Sequence, residues 1–231
     1  MKTRTNRFAR LGLGLTLALA LAVAAGCAAA TDMAEDVEQV SASKAHSLTA
    51  GDEVTQPLTE AEIEGILFMR EEEKLARDVY LKLAEIWDRN VFTNIGASEQ
   101  RHMDEVLLLI DKYGLTDPVA DNDIGVFEDV TLQALYDDLI ARGSASEIEA
   151  LKVGAAIEEI DIIDLEQYLE ATNNPDIVQV YGDLLSGSMK HLQSFISVLS
   201  KRGVEYEPQY LEKAEYDEIL DSEFSRGGED H

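Results

Sequence analysis

The chain has 231 residues, which is enough for one sizeable domain with appendages or for two small domains. It carries 46 Asp and Glu residues against 19 Lys and Arg, a formal net charge of −27. This charge excludes nucleic-acid partners, because proteins bind nucleic acids through basic residues that displace counterions. A single cysteine excludes a disulfide framework, a cysteine-based zinc site and a redox pair, and the 45% apolar content excludes disorder throughout.

The N-terminus has the pattern of an export signal. A basic start and the apolar run Leu11–Ala25 predict a secretory signal peptide over residues 1–26, because the run is shorter than the roughly 20 residues that span a bilayer. The four residues before Cys27 resemble the lipobox of bacterial lipoproteins, although Ala24 stands where leucine is usual. We expect an exported lipoprotein, anchored to a membrane through lipidated Cys27 and facing the periplasm or the cell exterior. Ordinary cleavage among residues 28–30 is the alternative.

The rest of the chain predicts helices behind a tether. Residues 27–57 are rich in small and acidic residues without apolar periodicity, so we expect a flexible acidic tether. The capping box at Thr59, the stop at Gly114 and the Asn174-Pro175 start mark helix ends in the domain that follows. The predicted helices run from Thr59 to about Arg89, from about Ile95 to Tyr113, from Thr131 to Arg142, from about Ser146 to Ala171, and from Pro175 to before Gly203.

This pattern of helices predicts an all-α fold. Four long helices, short links within each pair and one long crossover with a short extra helix indicate a ferritin-like four-helix bundle over residues 58–203. No stretch alternates apolar and polar residues between the turn signals that a β-hairpin requires. The acidic tail, residues 204–231, is expected to lie along the bundle without adding to it.

Polar residues within apolar heptad columns are the candidate functional residues. Side chains seven apart on a helix lie nearly in line, so each column shows the character of one face. Each long helix places one or two acids or histidines in an otherwise apolar column. These candidates are Glu73, Glu99, His102, Glu158, Asp161 and His191. The neighbouring acids Glu71 and Glu159 fall in polar columns, and we expect them to face solvent.

Four carboxylates at one level of a bundle need compensation. Each would lose its hydration and repel the others, so the group must be protonated, contact water or bind cations. A pair of metal ions is the economical interpretation, and one imidazole for each ion suits iron, manganese or zinc. The alternative is a degenerate site that holds only a buried hydrogen-bond network.

The motifs resemble those of known families. Glu73-x-x-Ala76-x-x-x-Tyr80, Glu99-x-x-His102, Glu158-x-x-Asp161 and His191 resemble the di-iron site of rubrerythrin-like proteins. More closely, residues 58–203 resemble an uncharacterised family of exported ferritin-like domain proteins. That resemblance depends on Glu-Glu-Lys-Leu-Ala-Arg-Asp-Val-Tyr at 72–80, Ser-Glu-Gln-Arg-His-Met at 98–103 and Ile-Glu-Glu-Ile-Asp-Ile-Ile-Asp-Leu at 157–165.

The resemblance implies a di-iron protein that oxidises ferrous iron or reacts with O₂ or peroxide. It implies bridging roles for Glu73 and Glu158, terminal roles for His102 and His191, and shells completed by Glu99 and Asp161. The chain departs from the rubrerythrin pattern at Ser188, where glutamate is usual, and at Asp161, which is shorter than the usual glutamate. The alternative functions are a metal-storage module without turnover and a metal-free interaction module on a lipid tether. We also expect a homodimer.

Overall fold

The computed structural model describes residues 57–120 and 122–224, so the predicted signal peptide, Cys27 and nearly all of the predicted tether lie outside the described residues. All regular structure within this part of the chain is helical. The helices are α1 (Glu60–Trp87), α2 (Asn90–Tyr113), α3 (Val130–Gly143), α4 (Glu147–Ala171), α5 (Pro175–Ser200) and α6 (Lys213–Phe224). None of the described helices is long and apolar enough to cross a membrane.

The four long helices form a bundle. Helix α1 packs mainly against α2, and α4 mainly against α5, while contacts of α1 with α4 and of α2 with α5 join the two pairs. At one end, the Trp87 indole N–H donates to the Gly143 carbonyl oxygen just before α4, at 2.9 Å. At the other end, the Tyr113 hydroxyl donates to Asn174, the cap of α5, at 3.1 Å. Neighbouring helices are therefore antiparallel, and the link from α2 to α4 spans the bundle. The predicted all-α bundle with a long crossover and a short extra helix is confirmed.

Local capping explains most of the helix ends. Thr59 and Glu62 form the predicted capping box, and Gly114 ends α2 in the left-handed region at φ 65°. Helix α2 begins at Asn90, earlier than the predicted start near Ile95. The reason is Asp88, which takes the left-handed conformation at φ 46° and allows a link of two residues without the glycine or proline that usually signals a break.

The second face of α1 is covered by the crossover, which contradicts the expectation that Glu71 faces solvent. The Glu71 carboxylate is buried and accepts hydrogen bonds from the backbone N–H groups of Glu128 at 2.5 Å and Asp129 at 3.1 Å. The fully buried Lys74 ammonium donates to the Asp123 carbonyl oxygen at 2.8 Å. Both sides of α1 are therefore buried, one in the bundle and one beneath the crossover.

The C-terminal tail adds to the core instead of lying on it. Glu159, which was expected to face solvent, is fully buried because the tail covers it. Its carboxylate accepts hydrogen bonds from the Tyr206 hydroxyl at 2.6 Å and from the backbone N–H groups of Tyr210 at 2.7 Å and Leu211 at 2.8 Å. The buried apolar residues of the tail are Tyr206, Leu211, Tyr216 and Ile219.

Candidate metal centre

A polar layer crosses the bundle between two apolar clusters. One cluster includes Ile66, Leu109 and Leu184, and the other includes Tyr80 and Phe195. The level between them holds all six candidate ligands predicted from the heptad columns, and every one is buried. They are Glu73 on α1, Glu99 and His102 on α2, Glu158 and Asp161 on α4, and His191 on α5.

Glu99 lies between the two histidines. Its Oε2 atom is 2.7 Å from His102 Nδ1, and its Oε1 atom is 2.8 Å from His191 Nδ1. The imidazole rings are nearly parallel, with centroids 5.4 Å apart and planes inclined by 26°. Nitrogen and oxygen atoms of Glu99, His102 and His191 lie within 4.8 Å of one another, close enough for one ion.

The other two glutamates flank this central group. Glu73 Oε2 lies 3.2 Å from His102 Nδ1, and Glu158 Oε2 lies 3.5 Å from His191 Nδ1. Each histidine thus has its own glutamate and shares Glu99 with the other histidine. Glu99 thus lies between the two histidines, whereas the resemblance implies bridging roles for Glu73 and Glu158.

Several atoms of the layer have no hydrogen-bond partner, and this absence tests whether metal ions fit. His191 Nδ1 and Glu99 Oε1 are close but not aligned as donor and acceptor, and neither has another partner among the described residues. Glu73 Oε1 and Asp161 Oδ1 are also unpartnered. A buried polar atom without a partner destabilises a fold by about 1–3 kcal/mol, so such atoms at one level indicate a ligand.

The chemistry of the donor atoms agrees with metal ions as that ligand. Carboxylate oxygens and imidazole nitrogens are ligands that iron, manganese and zinc accept. The charge of four carboxylates with two neutral imidazoles also balances that of two divalent ions. The residues present therefore fit a pair of metal ions.

Proton affinities in the metal-free layer are strongly altered. Burial lowers the pKa of His102, but the carboxylates of Glu73 and Glu99 outweigh it and raise that pKa to about 11. Burial also lowers the pKa of His191, and Glu158 and Glu99 raise it to about 10. Burial raises the pKa of Glu99, yet the two imidazoles bring it down to about 2. The imidazolium groups thus supply the positive charge that the carboxylates need, and a bound metal would take their place.

Ser188 and Gly187 on α5 support the centre in ways that the sequence did not predict. The Ser188 hydroxyl donates to the Asp161 Oδ2 atom, so the position where glutamate is usual holds the carboxylate of α4 in place. A Cβ atom at Gly187 would lie 2.5 Å from His102 Nε2, which means that only glycine leaves room for that ring. Asp161 therefore offers a carboxylate near the place of the absent glutamate.

Tyr80 holds the glutamate on the other side. Its hydroxyl donates to Glu158 Oε1 at 2.5 Å. The ring is fully buried and packs against both Phe92 and Phe195, with centroid distances of 6.5 and 5.4 Å. Tyr80 thus joins an aromatic cluster to the centre and orients one candidate ligand.

Sequence reasoning also missed Glu72, which lies beside the layer. The side chain is buried, and the heptad columns had not selected it. Neither carboxylate oxygen of Glu72 has a hydrogen-bond partner among the described residues. Burial and then the charges of Asp164 and Asp161 raise the pKa of Glu72 well above its ordinary value.

Comparison with known proteins assigns the chain to a family. The sequence model of a family described as an uncharacterized protein domain, DUF2202, matches residues 62–223. This chain belongs to the DUF2202 family. Every candidate ligand of the DUF2202 chain lies within the matched residues.

One relative is similar over most of its own length. The DUF2202 chain is 49% identical over 172 residues to the uncharacterized protein MJ0754 of Methanocaldococcus jannaschii, an alignment that covers 74% of this chain and 93% of the relative. The crystal structure of hypothetical protein MJ0754 from Methanococcus jannaschii is similar at a TM-score of 0.71 and 49% identity, over 72% of this chain and 95% of that one.

Proposed function

We propose that this DUF2202 protein is a ferritin-like protein whose bundle holds two metal ions and uses them in iron oxidation or in reactions with O₂ or peroxide. The observation that carries the proposal is the buried layer in which four helices present four carboxylates and two imidazoles with unpartnered atoms. A purely structural polar network would be expected to satisfy its donors and acceptors.

The residues divide into two half-sites around one shared carboxylate. Glu73 and His102 would hold one ion, and Glu158 and His191 the other, with Glu99 contacting both. Asp161 would supply the carboxylate that a glutamate on α5 supplies in rubrerythrin-like proteins. Iron bound there would supply the capacity to exchange electrons with O₂ or peroxide.

The protein itself contributes position and a dry environment. The hydroxyl of Tyr80 fixes the carboxylate of Glu158, and Ser188 fixes that of Asp161. The apolar clusters above and below the layer limit the access of water, which strengthens electrostatic interactions inside it. These two carboxylates are therefore oriented by the protein itself.

The cellular location is part of the same proposal. The apolar run and the Cys27 motif support export and a lipid anchor, with the acidic tether of residues 27–57 between the membrane and the bundle. Labelling of cells with a palmitate analogue tests this part. Label on the protein and none on a Cys27→Ala variant is the expected result, while an unlabelled protein would leave ordinary cleavage as the explanation.

Metal analysis tests the centre. The purified protein, loaded with Fe²⁺ without oxygen or with Mn²⁺, is expected to hold about two ions for each chain, one for each imidazole. Glu99→Gln removes the shared carboxylate charge and is expected to lose at least one ion. Asp111→Asn, at an exposed position of the same helix, is the matched control and should bind as the original protein does. Unchanged metal content in Glu99→Gln, or no metal in the original protein, would refute the assignment.

A second assay separates turnover from storage. Loaded protein is given Fe²⁺ with O₂, or peroxide with a reductant, and consumption of the oxidant is followed. Consumption that disappears in Glu99→Gln supports the redox function. Bound metal without consumption of the oxidant would instead support the storage function. The acidic composition of the chain, which would attract cations, suits that function.

A further inference from the structure

Glu72 differs from the other buried acids that lie outside the metal centre. It is 4% exposed, and both of its carboxylate oxygens lack a hydrogen-bond donor among the described residues. By contrast, Glu71 and Glu159 each accept several backbone hydrogen bonds. A buried carboxyl group without donors is stabilised either by a proton or by a bound cation, so Glu72 is a candidate ligand for a cation.

Glu72 lines a cleft that reaches the metal centre. The cleft lies between α1, α3 and α4 and is narrow, with about 10 Å³ of space, room for about one water molecule. Its ionisable lining residues are Glu72 and Asp161, and the other lining side chains are aliphatic. Leu135 on α3 and Ile160 on α4 are half-buried members of that lining. Because Asp161 belongs to the polar layer, the same cleft joins Glu72 to the candidate centre.

A third carboxylate continues this line outward. Asp164 is half-buried and follows Asp161 by almost one turn of α4. Burial raises the pKa of Glu72 well above its ordinary value, and the charges of Asp164 and Asp161 raise it further, so the three acids interact. Asp164 is the most exposed of the three, whereas Glu72 and Asp161 are buried.

We propose that Glu72 and Asp164 form an uptake site at which divalent cations are bound on their way through the cleft to the metal centre. A divalent cation gives up water only to other oxygen ligands, and the aliphatic walls of the cleft offer none. Glu72 and Asp164 supply those oxygens, and Asp161 receives the ion at the inner end. This inference rests on the proposed function, because it requires a metal centre to be filled.

The rate of loading tests the uptake site. Metal-free protein is mixed with Co²⁺ in a stopped-flow instrument, and binding is followed by visible absorbance. Glu72→Gln keeps the size of the side chain and removes its charge, and is expected to slow loading about tenfold or more, since charged clefts raise association rates by such factors. The final number of Co²⁺ ions for each chain is expected to stay the same.

Two further variants make the test specific. Asp164→Asn should also slow loading, and its half-buried position makes it a safe second variant if Glu72→Gln does not fold. Glu64→Gln, an exposed acid two turns earlier on α1, is the matched control and should load at the original rate. Slowing in Glu72→Gln and Asp164→Asn but not in Glu64→Gln supports the uptake site.

The possible failures are distinguishable. If the original protein binds Co²⁺ and either Glu72→Gln or Asp164→Asn binds it equally fast, the uptake site is overturned. The proposed function is not affected by that result. A lower final Co²⁺ content in Glu72→Gln would also overturn the uptake site, because Glu72 would then be a ligand of the centre. Original protein that binds no Co²⁺, Fe²⁺ or Mn²⁺ would refute the uptake site and the proposed function together.

Discussion

Replacement of Glu159 is expected to release the C-terminal tail. The Glu159 Oε1 atom accepts from the Tyr206 hydroxyl at 2.6 Å and the Gln209 N–H at 3.2 Å, while Oε2 accepts from the N–H groups of Tyr210 and Leu211. One carboxylate thus satisfies four donors that all lie before α6. A glutamine has one acceptor oxygen at this end. If that oxygen takes the place of Oε2, it keeps the two N–H groups of Tyr210 and Leu211. The Tyr206 hydroxyl can then turn to accept from the new NH₂ group, and the Gln209 N–H loses its partner.

The size of the effect follows from these contacts. An unsatisfied buried donor costs about 1–3 kcal/mol, and a hydrogen bond to a charged group is about 1 kcal/mol stronger than one to a neutral group. One lost donor and two weakened bonds give a loss of about 3–5 kcal/mol for Glu159→Gln. Because the affected bonds all hold one segment, we expect the loss to appear first as local opening of residues 204–224.

Hydrogen exchange measures the local opening of the tail, and urea denaturation measures the free energy of global unfolding. Amide exchange in residues 204–224 should accelerate strongly in Glu159→Gln, and the free energy of unfolding should fall. Glu205→Gln is the matched control, since it removes the same charge from an exposed position in the tail and should change stability by less than about 0.5 kcal/mol. If the tail amides exchange as slowly in Glu159→Gln as in Glu205→Gln, and both variants unfold at the same urea concentration, the reasoning is refuted.

Three other perturbations test the centre and the crossover. Manganese at about 100 times its dissociation constant should stabilise the protein by about 2.7 kcal/mol in thermal unfolding, and EDTA should reverse the gain, whereas an unchanged Tm would contradict metal binding. Gly187→Ala should push the ring of His102 and destabilise by about 1–3 kcal/mol, while Gly182→Ala on the same helix, with open space around it, should stabilise by up to about 1 kcal/mol. Equal changes in the two glycine variants, measured by urea unfolding, would show that His102 has room to move. Burial raises the pKa of Asp117, but the hydrogen bond from Arg70 outweighs it and holds that pKa below its ordinary value. The folded state then binds fewer protons than the unfolded chain at low pH. The free energy of unfolding of the original protein should therefore exceed that of Asp117→Asn by its full amount above about pH 4, and the difference should shrink as the pH falls below that value. A difference that stays constant down to about pH 2 would contradict this explanation.

Periodicity correctly predicted that the six candidate residues are buried, because each lies in an apolar column. All six are buried at one level of the bundle, as that pattern predicts. The same reasoning failed for Glu71 and Glu159, which lie in polar columns and are nevertheless buried. A heptad column describes one face of one helix, and it contains no information about a loop or a tail that later covers that face.

The arrangement within the centre needed the tertiary structure. Glu99-x-x-His102 sets two groups on one face of α2, but only packing against α5 places His191 on the other oxygen of Glu99. For the same reason, the hydrogen bond from Ser188 to Asp161 on the neighbouring helix could not be predicted from the sequence.

The sequence by itself determined the helices of the bundle and the chemical types in its polar layer, because capping residues and apolar spacing act within a few residues along the chain. Only the tertiary structure decided which carboxylate lies between the histidines, which acids are covered, and that α6 belongs to the core. These outcomes depend on contacts between segments far apart in sequence, such as Glu159 with the tail, and no local pattern records them.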